Sequence, residues 1–536
     1  MQADANFTCD VLVVGTGIAG TCAALSAAQQ APGAHVLLAS TGSLFSGSSF
    51  FGGTWGLGLV APDGQSDAED LVQTILSVGC GAADEPLVRS FVSGIAPAVE
   101  TLEGWGVKLR EPSADALGEG AYIPCFDHKH RAWHGVEREP YMRAVGRRLE
   151  EHQVDVREQW ELLDLLPGSA AGGTVPGSAA GGKREPWGSA AFFSRRSGCF
   201  ATVRFRACVL ATGGTCSLFG RRLTRPDCLA SVHALAKRAG CQLANLEFMQ
   251  FMPGLVHPVE NIVFNEKAFR YMQLPPETTE QLGGAAQAQR LLKQRGTYGP
   301  FTARLESRAV DFAIHQAGAQ GLPLKPNLEG PLPEFVETYF RWLEESAGLS
   351  RNEPVRVAFY AHASNGGIRI DCQAETGVPG LFAAGECTGG MHGADRLGGL
   401  SSANGLVFGL QAGRSAAAYA GLHAQEHGNP PTKDASPAPT WQQRFSPCWR
   451  QVEAEATAAM GEGCGIVRTA DGLEHCLERL RSAQRLLEES SAPAQSAEDA
   501  AATRRAHLRV ETAQLVAEAA FARTETAGSH YRADCP

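Results

Sequence analysis

The chain has 536 residues, and at about 150 residues per domain that is room for three to four domains. Hydrophobic residues make up 44% and charged residues 19%, an ordinary globular composition that excludes a mainly disordered chain. The 57 acidic residues exceed the 47 basic ones, a formal charge of -10, which argues against general binding to nucleic acid or an anionic membrane.

No apolar run approaches the ~18 residues of a membrane span, and Met1 to Asp10 lacks the basic-then-apolar pattern of a secretion signal. The 15 cysteines are scattered and contain no C-x-x-C pair, so no metal or iron–sulfur site is expected. Reduced thiols in a cytoplasmic protein are the simplest reading.

In chain order, Asp10 to Val14 reads as a short buried strand. Gly15-Thr16-Gly17-Ile18-Ala19-Gly20 follows at once, then an Ala-rich helix to about Gln30 and a second apolar run, His35 to Ala39. In this strand–turn–helix–strand context, Gly15 permits the tight turn, Gly17 lets a pyrophosphate reach the backbone, and Gly20 allows close helix–strand packing. The helix N-terminus supplies N–H groups and partial positive charge for phosphates. The second strand ends in Ser40-Thr41 rather than Asp or Glu, so an NAD site fits poorly and the ribose needs another partner.

The loop Ser48-Ser49-Phe50-Phe51-Gly52-Gly53-Thr54-Trp55 has the composition to wrap a planar ring with backbone amides. Apolar spacing predicts helices over Ala68 to Val78, Glu85 to Trp105 and Pro140 to His152. PGSAAGG occurs at 167–173 and again at 176–182, with a partial GSAA from Gly188; the stretch 167–191 is expected to be a flexible surface excursion. Strands are predicted on either side, Glu161 to Leu166 and Phe200 to Leu210. The second leads into another glycine turn, Ala211-Thr212-Gly213-Gly214. A further glycine-rich block runs from Gly366 to Gly413, and the tail from Trp441 is Ala/Glu/Arg/Leu-rich with helical spacing.

These blocks fall in one order with HKHR at 128–131, AGCQLANLEFMQF at 239–251, His362 before Gly366-Gly367-Ile368, PGLFAAGEC at 379–387, HGADRL at 392–397 and ARTETAGSHYRAD at 522–534. Over nearly its whole length the chain resembles the succinate dehydrogenase/fumarate reductase flavoprotein family, and within it the branch that oxidises L-aspartate. The resemblance implies an α/β fold: a Rossmann-like FAD-binding domain of the glutathione-reductase type, an inserted α+β capping domain and a C-terminal helical domain. The corresponding boundaries are 1–250 and 356–435 for the FAD-binding domain, 251–355 for the cap and 436–536 for the helical domain. No histidine stands in the loop Ser46 to Phe50 that would carry covalent flavin, so noncovalent FAD is expected.

The resemblance further implies that Thr16, Gly17, Ile18 and Ala19 meet the pyrophosphate and that Ser40 and Thr41 lie by the adenosine ribose. Ser48 to Trp55 would wrap the ring and ribityl chain. Thr212, Gly213 and Glu386 would also hold the cofactor, and Ser401 and Ser402 would offer amides near the ring, with a helix N-terminus from Asn404. Arg396 would grip a substrate carboxylate with Gln250 and His362 beside it, and Arg304 would act as proton shuttle or carboxylate partner, Arg308 being structural. His128 and His130 would be structural or near the flavin rather than metal ligands.

The implied reaction is hydride transfer from L-aspartate to flavin, giving iminoaspartate for quinolinate and NAD synthesis, with oxygen, fumarate or another acceptor taking the electrons. The alternative is a soluble enzyme acting on fumarate or another unsaturated carboxylate; a third reading is an electron-transfer subunit with a partner. Three positions depart from the family pattern. Met252 replaces a histidine donor, the Gly-Asp-Gly is missing around Ala230 to His233, and Cys125, with Asp127 nearby, stands where an acid is expected.

Overall fold

The computed structural model describes residues 5–111, 131–168, 187–328, 330–427 and 439–535. Its main sheet is built around the strand Ala5–Val14, whose residues Val11, Leu12, Val13 and Val14 are buried, as suits a strand covered on both faces. It lies parallel to Val36–Ala39 on one side and to Cys199–Leu210 on the other. Asp155–Arg157 extends the first edge, and Gly188–Ser194 and Trp160–Leu166 extend the second. Leu381–Ala383 adds a parallel strand beside Cys208 to Leu210. The first strand begins at Ala5 rather than Asp10 because its ladder with Ala201 to Phe205 continues through the polar residues Asn6 and Thr8.

The predicted helices are present with shifted ends, at Gly64–Val78, Glu85–Gly104 and Arg138–Glu151. One expectation is overturned. Gly188 to Ala191, assigned to a flexible insert, are part of the strand Gly188–Ser194, hydrogen-bonded on both sides. Composition misled there: Gly188 is required because a Cβ on it would lie 2.2 Å from the Phe205 ring. The remainder of the repeat stretch, 169–186, and His128, His130, Cys125 and Asp127 lie outside the described residues.

Helices Ile18–Gln30 and Leu400–His427 pack closely behind the sheet; a Cβ on Gly413 would come 2.2 Å from the Ala23 carbonyl oxygen. A second sheet, antiparallel, runs in the order Ile262–Val263, Met249–His257, Val355–Ser364, Leu322–Pro326, Met272–Gln273. Helices Ala285–Arg295, Arg308–Gln316 and Glu334–Ala347 share its core around Phe264, Phe269, Val310, Ile314 and Tyr339. Its two long strands, Met249–His257 and Val355–Ser364, also carry Met252 and His362 to the space beside the glycine turn, and Gln250 to Arg396.

Three helices, Trp449–Gly463, Ala470–Glu489 and Ala497–Ala522, form a separate apolar core with Val452, Met460, Leu480 and Val516. The segment after the last helix returns to the centre of the molecule. There Ser529 N donates to Ala394 O at 3.0 Å, and Ala303 N donates to Gly528 O at 2.8 Å. It thus fixes the loops that bear Arg396 and Arg304. No described helix is long and apolar enough to cross a membrane.

Candidate active site and cofactor cleft

A cleft of about 290 Å³ opens where the C-terminal ends of the parallel strands meet the second sheet. That is the usual ligand position in an open α/β sheet. Gly15 sits at φ +113°, and a Cβ on it would lie 2.1 Å from the Ala211 oxygen, so only glycine makes this turn. Gly17 caps the helix Ile18–Gln30 without a side-chain cap, leaving the first amides toward the cleft. The helix Leu400–His427 also starts at the cleft: Gly398, Gly399, Ser401 and Ser402 line it. Two helix N-termini therefore face one space, a favourable field for an anion or an electron-rich ring. The second helix starts at Leu400, one turn before the expected Asn404.

Gly15, Thr16, Gly17, Ile18, Ala19, Ser40 and Thr41 all line the cleft, as do Ser48, Ser49, Thr54, Thr212, Gly213 and Glu386. Thr16 and Ser40 are locked hydroxyl to hydroxyl at 2.7 Å, which fixes the glycine turn against the end of the second strand. Arg138 holds the following loop, donating from Nε to Ser49 O at 3.0 Å and from a terminal nitrogen to Thr54 Oγ1 at 2.8 Å. Glu386 is half-buried, and desolvation pushes its carboxyl pKa up; its Oε1 accepts from Ser364 N at 3.0 Å.

Other sequence candidates sit elsewhere. Gly20 packs inside the helix–strand contact, where a Cβ would be 1.8 Å from Gly15 O. Phe50 stacks edge-on against Phe45 at 5.5 Å, and Trp55 against Phe335 of the second-sheet region at 4.4 Å. Phe51, Gly52 and Gly53 do not line the cleft either; Gly56, Leu57 and Gly58 do. The aromatic residues of the loop thus pack away from the cleft while its next glycines line it.

At the far end His362 and Arg396 both face the cleft. Arg396 is 6% exposed; its Nε donates to Gln250 Oε1 at 3.0 Å and a terminal nitrogen donates to Leu397 O at 3.0 Å. The same glutamine donates from Nε2 to Arg396 O at 3.0 Å and to Asp395 Oδ1 at 3.3 Å. Burial, and next the positive charge of Arg396, hold the His362 pKa down to about 3, so its imidazole is neutral. Its Nδ1 is buried without a protein partner.

Arg304 does not line the cleft but stands behind Arg396, donating from Nε to Asp395 Oδ2 at 2.9 Å and stacking over Tyr298 at 5.2 Å. Arg308 heads its helix, bonded to the Ala303 carbonyl and lying over Tyr531. Met252 belongs to an apolar wall with Leu223, Val263 and Tyr360. His257 is exposed at the end of its strand and does not replace the missing donor. Asp395, Thr302 and Asp227 were not singled out from the sequence; only the position of Asp395 immediately before Arg396 offered a signal.

The donor set fits a flavin dinucleotide. The cleft is glycine-floored beside two helix starts, and two buried polar atoms along it, Thr212 Oγ1 and Asp227 Oδ1, have no protein partner. Residues 10–402 match the FAD binding domain family, and residues 453–536 match the fumarate reductase flavoprotein C-terminal family. The chain is 28% identical to the L-aspartate oxidase of Yersinia pestis, covering 100% of this chain and 98% of that protein. It is 29% identical to the L-aspartate oxidase of Streptomyces coelicolor, over 98% and 88% of the two chains. Among solved structures, a mutant of E. coli quinol fumarate reductase FrdA superposes with a TM-score of 0.78 at 23% identity, over 99% of this chain and 92% of that one. The Mycobacterium smegmatis Sdh1 complex gives 0.76 at 23% identity, over 98% and 89%.

Proposed function

The chain belongs to the FAD binding domain family, among the succinate dehydrogenase/fumarate reductase flavoproteins, and is an FAD-dependent oxidoreductase; from that premise we propose that it oxidises L-aspartate to iminoaspartate. The observation that carries this reading is the pairing of a buried, oriented Arg396 with a neutral His362 at the end of the cofactor cleft, in a chain similar over its full length to L-aspartate oxidases.

FAD, held noncovalently, supplies the hydride acceptor. The chain supplies the geometry. Arg396 holds a substrate carboxylate through its planar, permanently charged fork, and Gln250 sets the plane of that fork. Fixing the carboxylate helps to fix the direction of the C–H bond, and such orientation lowers the barrier to hydride transfer. With a pKa near 3, His362 is a poor base at neutral pH. It acts as a hydrogen-bonding group that orients the substrate. The proton of the substrate ammonium passes to solvent; Arg304, charged and outside the cleft, acts with Thr302 on Asp395 to hold the loop that bears Arg396. The cysteines among the described residues are all free thiols, which supports a cytoplasmic enzyme.

Met252 favours a second reading. It puts a thioether in the wall where a second carboxylate would want a donor, which suits reduction or oxidation of an altered, less polar carboxylate. Anaerobic titration of the yellow protein with L-aspartate decides. Bleaching of the oxidised flavin band supports aspartate oxidation. An unchanged spectrum removes that substrate, and dye-reduced protein is then assayed with fumarate and other unsaturated acids.

A further inference from the structure

The glycine turn and its two strands end without the carboxylate that a dinucleotide fold usually places on the adenosine ribose. Ala39, Ser40 and Thr41 stand there, and the Ser40 hydroxyl is already engaged with Thr16 at 2.7 Å and Ser46 at 3.1 Å. A carboxylate nevertheless reaches this place from a distant part of the chain. Asp227 packs on Gly42, so closely that a Cβ on Gly42 would lie 2.2 Å from Asp227 Oδ2. Arg225 Nε donates to that same Oδ2 at 3.2 Å and holds the group in place. The other oxygen, Oδ1, is buried with no hydrogen-bond partner, and Asp227 lines the cleft together with Ser40 and Thr41.

A buried carboxylate oxygen without a donor is costly, and a ribose hydroxyl is a donor of the right kind. We propose that Asp227 accepts a hydrogen bond from an adenosine ribose hydroxyl of FAD through Oδ1, replacing the acid absent from the end of the second strand. Gly42 is then fixed by sterics, since any side chain there would push the carboxylate out of the cleft. The proposal rests on the FAD reading and concerns only the adenosine half of the cofactor, so FMN is blind to it.

The test is flavin binding to the flavin-stripped full chain, followed by quenching of flavin fluorescence, with FAD, FMN and an FAD carrying 2′,3′-dideoxyadenosine as probes. Asp227→Asn is expected to weaken FAD by about tenfold or more and to leave FMN within about twofold, since the charge on the ribose acceptor is lost while the ring half of the cleft is untouched. The unsubstituted protein is expected to lose a similar factor with the dideoxy analogue, and the variant to lose none. Equal affinity of the unsubstituted protein for FAD and the analogue overturns the proposal, even if the variant fails to fold. So does an Asp227→Asn protein that weakens FAD and FMN alike. If the unsubstituted chain binds no FAD at all, the flavin reading itself fails, which is a different result.

Discussion

Arg304 and Asp395 tie the loop before the helix Arg308–Gln316 to the loop before the helix Leu400–His427, Nε to Oδ2 at 2.9 Å. The same carboxylate oxygen accepts from Thr302 Oγ1 at 2.7 Å, and its partner oxygen accepts from Gln250, which in turn holds Arg396. A single buried carboxylate therefore sets the direction of two arginines on different parts of the chain.

Asp395→Asn keeps the shape and removes the charge. Arg304 is 27% exposed, so water screens part of the loss, and the destabilisation is expected to be about 1–2 kcal/mol rather than the full penalty of a broken buried pair. Flavin content should be unchanged. The rate of anaerobic flavin reduction should fall by about tenfold or more, because both arginines lose their aim. A drop in thermal midpoint with no change in reduction rate would deny Asp395 this positioning role.

Arg396→Lys keeps a positive charge but loses the planar fork and the bond from Nε to Gln250. We expect kcat/KM for the carboxylate substrate to fall by roughly 100-fold, with the flavin spectrum of the resting protein retained. Steady-state kinetics and the visible spectrum check both halves. A lysine variant with unchanged kcat/KM would mean that the substrate is held elsewhere.

Three desolvated histidines should shape stability against pH. Burial, with Arg396 as the next cause, takes His362 and His392 to about 3, and burial takes His233 to about 4. In the unfolded chain each protonates near the ordinary value of about 6.5. From about pH 6.5 down to about 4 the unfolded state then binds more protons, so stability falls as pH falls, by up to ~1.4 kcal/mol per pH unit for each histidine. Above about pH 7 these groups contribute no slope. Urea midpoints at pH 5 and pH 7 measure this, and His392→Gln should flatten the slope by one proton. The same depressed value predicts that His362 produces no limb near pH 6.5 in kcat/KM. A limb there that vanishes in His362→Gln would show that the imidazole titrates in the working enzyme.

The parts of the fold legible in the sequence are those where sterics leave one residue type. Gly15 and Gly213 sit at positive φ, and both stood out as glycine turns directly after apolar runs. Helix ends drifted by a few residues because propensity changes gradually there. The tail at 522–534 was recognisable as a string, but its work, fixing the loops of Arg396 and Arg304, depends on backbone bonds that leave no side-chain pattern. Loop direction was equally hidden. The composition of Ser48 to Trp55 suits a ring-wrapping loop, yet the structure turns Trp55 to Phe335 and Tyr339. Asp227 could not be read at all, since its meaning depends on contact with Gly42, far away in the chain.

Gly17 and Gly20 separate ligand space from packing space within one short motif. A Cβ on Gly20 would sit 1.8 Å from Gly15 O, an overlap of backbone on backbone that no rotamer relieves. A Cβ on Gly17 would have its nearest neighbours, Ser46 O and Ser49 Oγ, at 3.8 Å, and Gly17 has an ordinary φ of -69°. Alanine at 17 is therefore tolerated by the protein, but its methyl occupies the cleft where the pyrophosphate must approach the amides. Gly17→Ala should fold with a thermal midpoint, measured without flavin, close to that of the parent, while FAD affinity falls by about 100-fold. Gly20→Ala should lose stability by several kcal/mol, about 3 or more, and give little soluble protein. Should both variants bind FAD normally, the helix start at Ile18 would not be the pyrophosphate site. If Gly17→Ala is instead the less stable of the two, the division between the two glycines is wrong.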